Sequence, residues 1–297
     1  MATSGRVSFG GMVVEDSLSA LGFRVSDDRV ALVETASPRL RYDAVLLQSA
    51  WNVLSPPLFR EYMRPYPSAM KRRARLRRLV ARTNLRRAGR VVCLTETVAN
   101  MLADSLGIRA EVAPVTVPLH DWLEPAPCDA QEEQSDRFAL VPGTVTWYKQ
   151  PELALSWLSD NDEPSTLDRV VFLGRDDGSG SWLEVRRQGE RRGIAVEQFT
   201  VPHSQVYDLY RRARVTVLPS RLESLGFGLS EALLHSPRVW ASPIPPHREV
   251  AGRTGREPTW IGEAPIGRAR RQGLITRAVA ESEWVSVGEA LGLASAE

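Results

Sequence analysis

The sequence is poor in cysteine, histidine and lysine, and each shortage argues against a class of protein. Two cysteines, Cys93 and Cys128, cannot make a disulfide framework or a cysteine-rich zinc site, and they fit a reducing compartment. The four histidines are scattered, without the spacing of metal ligands. No stretch approaches the roughly 18 apolar residues of a membrane span, and Met1 to Gly11 holds no apolar run of the kind a secretory leader needs. A cytoplasmic, non-exported protein is therefore expected, with contact at a membrane surface left open. Internal repeats and low-complexity tracts are missing too. Lysine is nearly absent: of 38 basic side chains only Lys71 and Lys149 are not arginine.

What is present is ordinary for a globular chain, 43% hydrophobic and 25% charged, and 297 residues suffice for two domains with separate cores. Charge divides unevenly. Residues 1–120 carry 18 basic and 10 acidic side chains, the remainder 20 and 26, which suggests two units with different partners. Short β-branched runs alternate with helical patterns, the mark of parallel sheets built from strand–helix–strand units. The first half predicts strands at Val30–Glu34, Ala44–Leu47, Val91–Leu94 and Glu111–Val115. Helices fall over Ser68–Arg87 and Thr97–Leu106, the latter capped by Thr95. Leu119–Asp136, with two prolines and six acids, reads as a linker. Beyond it, strands at Phe138–Val141, Val170–Leu173, Ile194–Glu197, Val215–Leu218, Arg238–Ala241 and Thr259–Ile261 alternate with helices at Pro151–Leu158, Trp182–Arg192, Gln205–Arg212 and Leu229–His235. The expected layout is a domain over 1–120, a linker over 121–137, and a doubly wound domain over 138–297 ending in a helix around Glu283–Leu291. Ligands of such sheets bind at the carboxyl ends of the strands, after Leu140, Leu173 and Leu218.

The most informative stretch runs from Val215 to Leu234. An apolar strand ends at Pro219, a glycine-bearing loop follows, and a helix opens near Gly228. Free backbone N–H groups and the positive end of the helix favour an anion above the loop, and Gly226 and Gly228 leave room for close approach. Glu223 closes the strand and Glu231 sits in the first turns of the helix, so both carboxylates can accept hydrogen bonds from hydroxyls in one pocket. The plain alternative is a helix start whose acids suit its dipole.

Pro219-Ser220-x-x-Glu223-x-x-Gly226-Phe227-Gly228-x-x-Glu231-Ala232 resembles the signature of the group-1 glycosyltransferases, the retaining GT-B family 4, whose mark is two glutamates separated by seven residues. Further pieces follow the family's order: Gly143 to Lys149 before a helix, Val170 to Gly174, Tyr207-x-x-Tyr210-x-x-Ala213, and Ser242 to Val250. Together they cover most of residues 138–252. The resemblance implies an α/β fold of the GT-B type, two Rossmann-like domains facing a cleft, the N-terminal one reduced. It implies a sugar taken from a nucleotide-diphosphate donor, with no cofactor and no metal. Glu231 would hold the ribose diol. Glu223, with the amides of Phe227, Gly228 and Leu229, would hold the sugar hydroxyls. Lys149 would neutralise the departing diphosphate, with Gly143, Thr144, Gly174 and Arg175 in the adjoining loops. The lysine is independently notable, because a chain built on arginine places a compact ammonium there. Two departures stand out. Thr144 occupies a position where many members carry a phosphate-binding arginine, and Ser224-Leu225 replaces part of the usual Glu-Gly-Phe-Gly loop.

In residues 1–120 the resemblance is thinner. Gly10-Gly11, after a short strand at Arg6–Phe9, matches the family's N-terminal glycine pair, and Gln48 stands near where relatives place a histidine. Lys71–Arg90 holds ten basic residues and no acid. Leu76, Leu79, Val80 and Thr83 fall at helical spacing, which predicts one buried stripe. Three readings stay open for this helix: a solvated domain face, a contact with an anionic membrane, or, without supporting aromatic or groove-reading motifs, nucleic acid. Asp160-Asn161-Asp162 has the form of a metal-binding carboxylate pair but sits in a loop context. The acceptor class (glycan, lipid-linked or natural product) is open, as are two rivals: a nucleotide-sugar epimerase and a non-catalytic partner subunit.

Overall fold

The alternation of strands and helices produces two wholly parallel sheets. The computed structural model describes residues 9–24, 29–37, 41–119, 136–161, 167–263 and 275–294. Contacts divide the chain into two units, Met1–Trp122 with Thr276–Glu297, and Leu123–Ile275. Among the described residues no helix is long and apolar enough to cross a membrane.

The first unit runs α1 (Phe9–Ala20), β1 (Val30–Ala31), β2 (Ala44–Leu47), α2 (Ala50–Val53), α3 (Pro56–Tyr62), α4 (Ser68–Arg87), β3 (Arg90–Cys93), α5 (Glu96–Leu106) and β4 (Glu111–Val112). The four strands pair in sequence order, Ala44–Leu47 lying beside Arg90–Cys93. Thr95 caps α5 as expected, its Oγ1 accepting from the Val98 N–H at 3.3 Å. Gly10 and Gly11 lie within the first turn of α1 rather than ahead of a helix. The strand expected over Arg6–Phe9 lies outside the described residues, save Phe9, which opens α1.

Helix α4 has the expected bounds but the opposite orientation. Leu76 and Leu79 are 62% and 63% exposed, while Arg78, Ala81, Asn84 and Leu85 face inward. The cause is a set of buried acceptors that only polar side chains can satisfy. Asn84 Nδ2 donates to the carbonyls of Glu34 and Ala36, at 3.0 and 2.9 Å. The Arg78 guanidinium donates to the carbonyls of Asn52 and Leu54. Beneath them the Glu34 carboxylate accepts from the Gln48 backbone N–H at 3.1 Å and from Asn52 Nδ2 at 2.7 Å. Burial holds Glu34 above the usual carboxylate range, against the pull of those donors. Gln48 spends its side-chain Nε2 on the Leu32 carbonyl at 2.6 Å and is buried, a task within the fold.

The second unit holds β5 (Asp136–Pro142), a 3₁₀ turn at Trp147–Lys149, α6 (Pro151–Asp160), β6 (Arg169–Leu173), α7 (Ser181–Arg192), β7 (Ala195–Phe199), α8 (His203–Arg212), β8 (Ala213–Leu218), α9 (Phe227–His235), β9 (Val239–Ala241), α10 (Pro245–Thr254) and β10 (Thr259–Trp260). The strands lie in the order β10-β9-β8-β5-β6-β7. That is the doubly wound order, with its switch point between β5 and β8. Successive residues of each strand feed opposite cores, as a pleat requires. Phe138, Leu140, Val171 and Leu173 pack with α8, α9 and α10. Ala139, Val141, Val170, Phe172, Val215 and Val217 pack with α6 and α7. Helix α10 is absent from the sequence expectation. Pro245 and Pro246 take its first two positions, where no N–H is needed. Asp160 ends α6, and Asp162 lies outside the described residues.

The terminal helix α11 (Arg277–Leu291) corrects the expected domain layout, since it belongs to the first unit and not to 138–297. Trp284 is fully buried and donates Nε1–H to the Val117 carbonyl at 2.9 Å. The Glu283 carboxylate accepts from both the N–H and the Oγ1 of Thr116, each at 2.7 Å. Trp284→Ala should cost about 3–5 kcal/mol by emptying that seat. Hydrogen exchange is the check: the loss of protection should be larger at β2 and β3 than at β5 and β6, and the reverse order would contradict the assignment.

Candidate functional site

The loops that leave β5 and β8 rise side by side at the switch point. The β5 loop turns at Gly143, whose φ of 96° lies in the left-handed region. A Cβ there would meet Lys149 Nζ at 2.9 Å, so the bare glycine lets the lysine fold back over the loop. Gly174, at the end of β6, packs backbone against backbone, and a Cβ on it would lie 2.3 Å from the Gly143 carbonyl. Val145 is pinned alongside by its N–H bond to the Arg175 carbonyl at 2.9 Å. The Trp147–Lys149 turn ends at Gln150 in the left-handed conformation, φ 47°. Pro151 then starts α6 and sets where the lysine leaves the chain.

The β8 loop is tied to this turn by the Arg221 N–H, which donates to the Tyr148 carbonyl at 2.8 Å. Glu223 Oε1 lies 2.9 Å from Lys149 Nζ and accepts from the Ser220 hydroxyl at 2.8 Å. Both members of the ion pair are mostly buried, with side chains 24% and 17% exposed. Burial pulls the Lys149 ammonium down, but the Glu223 carboxylate and the Tyr148 phenol together hold the group above its ordinary value. Burial alone would raise Glu223. Lys149 above all, together with His247, brings it below the usual carboxylate range. The depression between the strand ends is lined by Gly143, Thr144, Lys149, Leu218, Pro219 and Ser220.

Gly226, in the left-handed region, caps α9. Its carbonyl accepts from the N–H groups of Leu229 and Ser230 at 2.9 and 3.1 Å. Of the three amides expected to hold a ligand, the Leu229 N–H is therefore already engaged, and the Leu229 side chain is fully buried in the core. The amides of Phe227 and Gly228 open the helix and carry its positive end. Glu231, one turn on, has partners of its own. Its Oε1 is 3.1 Å from His203 Nε2. Its Oε2 is 3.4 Å from the Tyr210 hydroxyl, which also lies 3.2 Å from the Gly228 carbonyl. Burial and the Glu231 charge push the Tyr210 phenol well above its ordinary value, so it is a proton donor throughout the neutral range.

The structure thus joins Lys149 to Glu223 directly, and places Gly143, Thr144 and Gly174 in the loops at their side. Arg175 follows Gly174, exposed. Ser220 stands in the quoted motif but was given no role, and two further participants escaped the sequence reading. His203 reaches Glu231 only because α8 packs against α9. His247 is fully buried, with Nδ1 2.9 Å from the Ser242 carbonyl. Burial lowers its pKa, opposed by the Glu223 charge. Among the described residues no cluster of three His, Cys, Asp or Glu side chains is placed to hold a metal. Cys93 is buried and its thiol is pushed up to about 12 by that burial, unsuited to a nucleophile.

The ion pair makes a signed prediction. Glu223 titrates lower in the fold than its ordinary ~4.3, and Lys149 higher than ~10.4. The pair's contribution is therefore complete between those values. It fades as acidity rises through the depressed Glu223 pKa, and again as alkalinity passes the raised Lys149 pKa. Lys149→Met should cost roughly 1–3 kcal/mol at neutral pH. Urea denaturation from pH 3 to 9 should show that deficit constant above about pH 5 and shrinking toward pH 3. A deficit independent of pH would mean that packing, not charge, joins the two side chains.

No family model matches the sequence, and no curated protein matches it. Solved structures do. The chain is similar to WaaG, a glycosyltransferase involved in lipopolysaccharide biosynthesis, with TM-score 0.56 and 14% identity over 94% of this chain and 71% of that one. It is similar to sucrose-phosphate synthase from Thermosynechococcus elongatus, with TM-score 0.51 and 18% identity over 69% of this chain and 51% of that one. It is also similar to a UDP-forming trehalose-phosphate synthase from Burkholderia xenovorans, with TM-score 0.50 and 8% identity over 84% and 60%. The chain spans about half the length of the sucrose-phosphate synthase. At such identities the likeness concerns architecture, and the architecture is that of the GT-B glycosyltransferases: two parallel α/β sheets, the second doubly wound.

Proposed function

We propose that the second unit binds a nucleotide-diphosphate sugar and that the chain is a retaining, metal-independent glycosyltransferase of the hexosyl-transferring class. One observation carries the reading: Lys149 and Glu223 meet at 2.9 Å on the switch point of a doubly wound sheet, beside the open amides that begin α9. A diphosphate placed against Phe227 and Gly228 receives the helix end and the ammonium together. Glu223, already oriented by Ser220, then accepts from sugar hydroxyls, and Glu231 accepts from the ribose diol. Charge building on the leaving phosphate is met by Lys149, since Thr144 brings none. Gly143 lets the Lys149 ammonium lie close over the loop, and Gly174 lets the β5 and β6 loops pack together beneath it. The acceptor is a glycan, a lipid-linked sugar or a small natural product.

Thr144 favours one second reading, in which the unit binds a nucleotide sugar without turning it over. Both readings predict binding. A thermal-shift panel of UDP, GDP, dTDP and ADP tests it. Ligand at a hundred times its Kd stabilises by about 2.7 kcal/mol, which at about 2–4 °C per kcal/mol raises Tm by roughly 5–11 °C for a unit of this size. The response to one diphosphate should vanish in Lys149→Ala and in Glu231→Ala. A flat panel with the wild-type chain sinks both readings. Release of nucleoside diphosphate from the matching nucleotide sugar, with an acceptor present, separates turnover from binding.

A further inference from the structure

The outward face of α4 is work for which the fold has no use. Its inward face is complete: Arg78 and Asn84 satisfy buried carbonyls, and Ala81 and Leu85 pack beneath. Leu76 and Leu79 point away from that face, at 62% and 63% exposure, and a helix placing two leucines one turn apart in water gains nothing from them. Around them lie Arg72, Arg73, Arg75, Arg77 and Arg86, all exposed and without an acidic partner among the described residues. No acid occurs from Ser68 to Arg90. A short apolar ridge bordered on both sides by arginine is the arrangement of a helix lying in a membrane interface.

We infer that α4 docks the chain on an anionic lipid bilayer, with Leu76 and Leu79 entering the headgroup boundary and the flanking arginines meeting lipid phosphates. Charge selects this occupant over the others. Two copies pairing through α4 would bring two unneutralised arginine fields together. A nucleic acid would meet the arginines and leave the leucines in water. An anionic bilayer satisfies both features at once. The inference rests on the exposure and charge of α4 alone and is independent of the donor-site reading, so either can fail without the other.

The test is co-sedimentation of the full chain with vesicles of mixed phosphatidylglycerol and phosphatidylcholine, and with vesicles of phosphatidylcholine alone. Binding to the first and not the second is expected, weakened in 0.5 M salt by screening at about 4–5 Å. The double variant Leu76→Gln/Leu79→Gln should lose about tenfold or more in partition with its charge unchanged. Arg72→Gln/Arg73→Gln/Arg75→Gln/Arg77→Gln should lose at least as much. All six positions are exposed, so melting points should match wild type. Three results would overturn the inference: equal partition onto both vesicle types, a double-leucine variant that binds like wild type, or a solution dimer or tight duplex RNA binding that the leucine changes abolish.

Discussion

The parallel pairing of β5 with β8 is the constraint on which the candidate site rests. These strands are distant in sequence, with Ala139 opposite Val215 and Leu140 opposite Thr216. Their adjacency makes two unrelated loops neighbours. Once the loops leave the same edge, the Arg221 to Tyr148 backbone bond holds them in step, and Lys149 and Glu223 need only be side chains of the right length to meet. The glycines at 143 and 174 answer to this crowding. A Cβ at 143 would displace the Lys149 ammonium, and one at 174 would push the β5 and β6 loops apart.

Two sets of polar contacts make up the site. Lys149, Glu223 and Ser220 form one. Glu231, His203 and Tyr210 form another, with the Tyr210 hydroxyl also near the Gly228 carbonyl and the Glu223 charge felt at Tyr210. Each carboxylate therefore has a donor waiting before any ligand arrives. For Glu223 these donors, Lys149 above all, outweigh burial and hold the carboxylate below its usual range. Under the proposed function, ligand hydroxyls add to or exchange with donors that already occupy these oxygens.

Much of this was legible from the residues. Continuous apolar runs such as Phe138–Val141 announce strands covered on both faces, and the bounds of α4 and the Thr95 cap were readable to within a residue. The glutamate spacing and the lysine at 149 identified the loops that meet. What could not be read was direction and long-range company. Leu76, Leu79, Val80 and Thr83 have true helical periodicity, but periodicity names a face without saying which way it looks. The inward side was decided by carbonyls of Asn52, Leu54, Glu34 and Ala36, invisible to a hydrophobic pattern. The same limit hid His203, which becomes relevant only through the packing of α8 on α9, and it left α11 assigned to the sheet it follows rather than the one it covers.

The seat of Trp284 has a consequence for the order of assembly. Because α11 completes a sheet whose strands lie far upstream, ribosomal synthesis delivers the whole of the second sheet before the first can be closed. Until Trp284 emerges, the Val117 carbonyl lacks its donor and the apolar surface around β2 and β3 lacks its lid. Vectorial folding must then finish the earlier unit last, with the later one already formed as an insert in its chain.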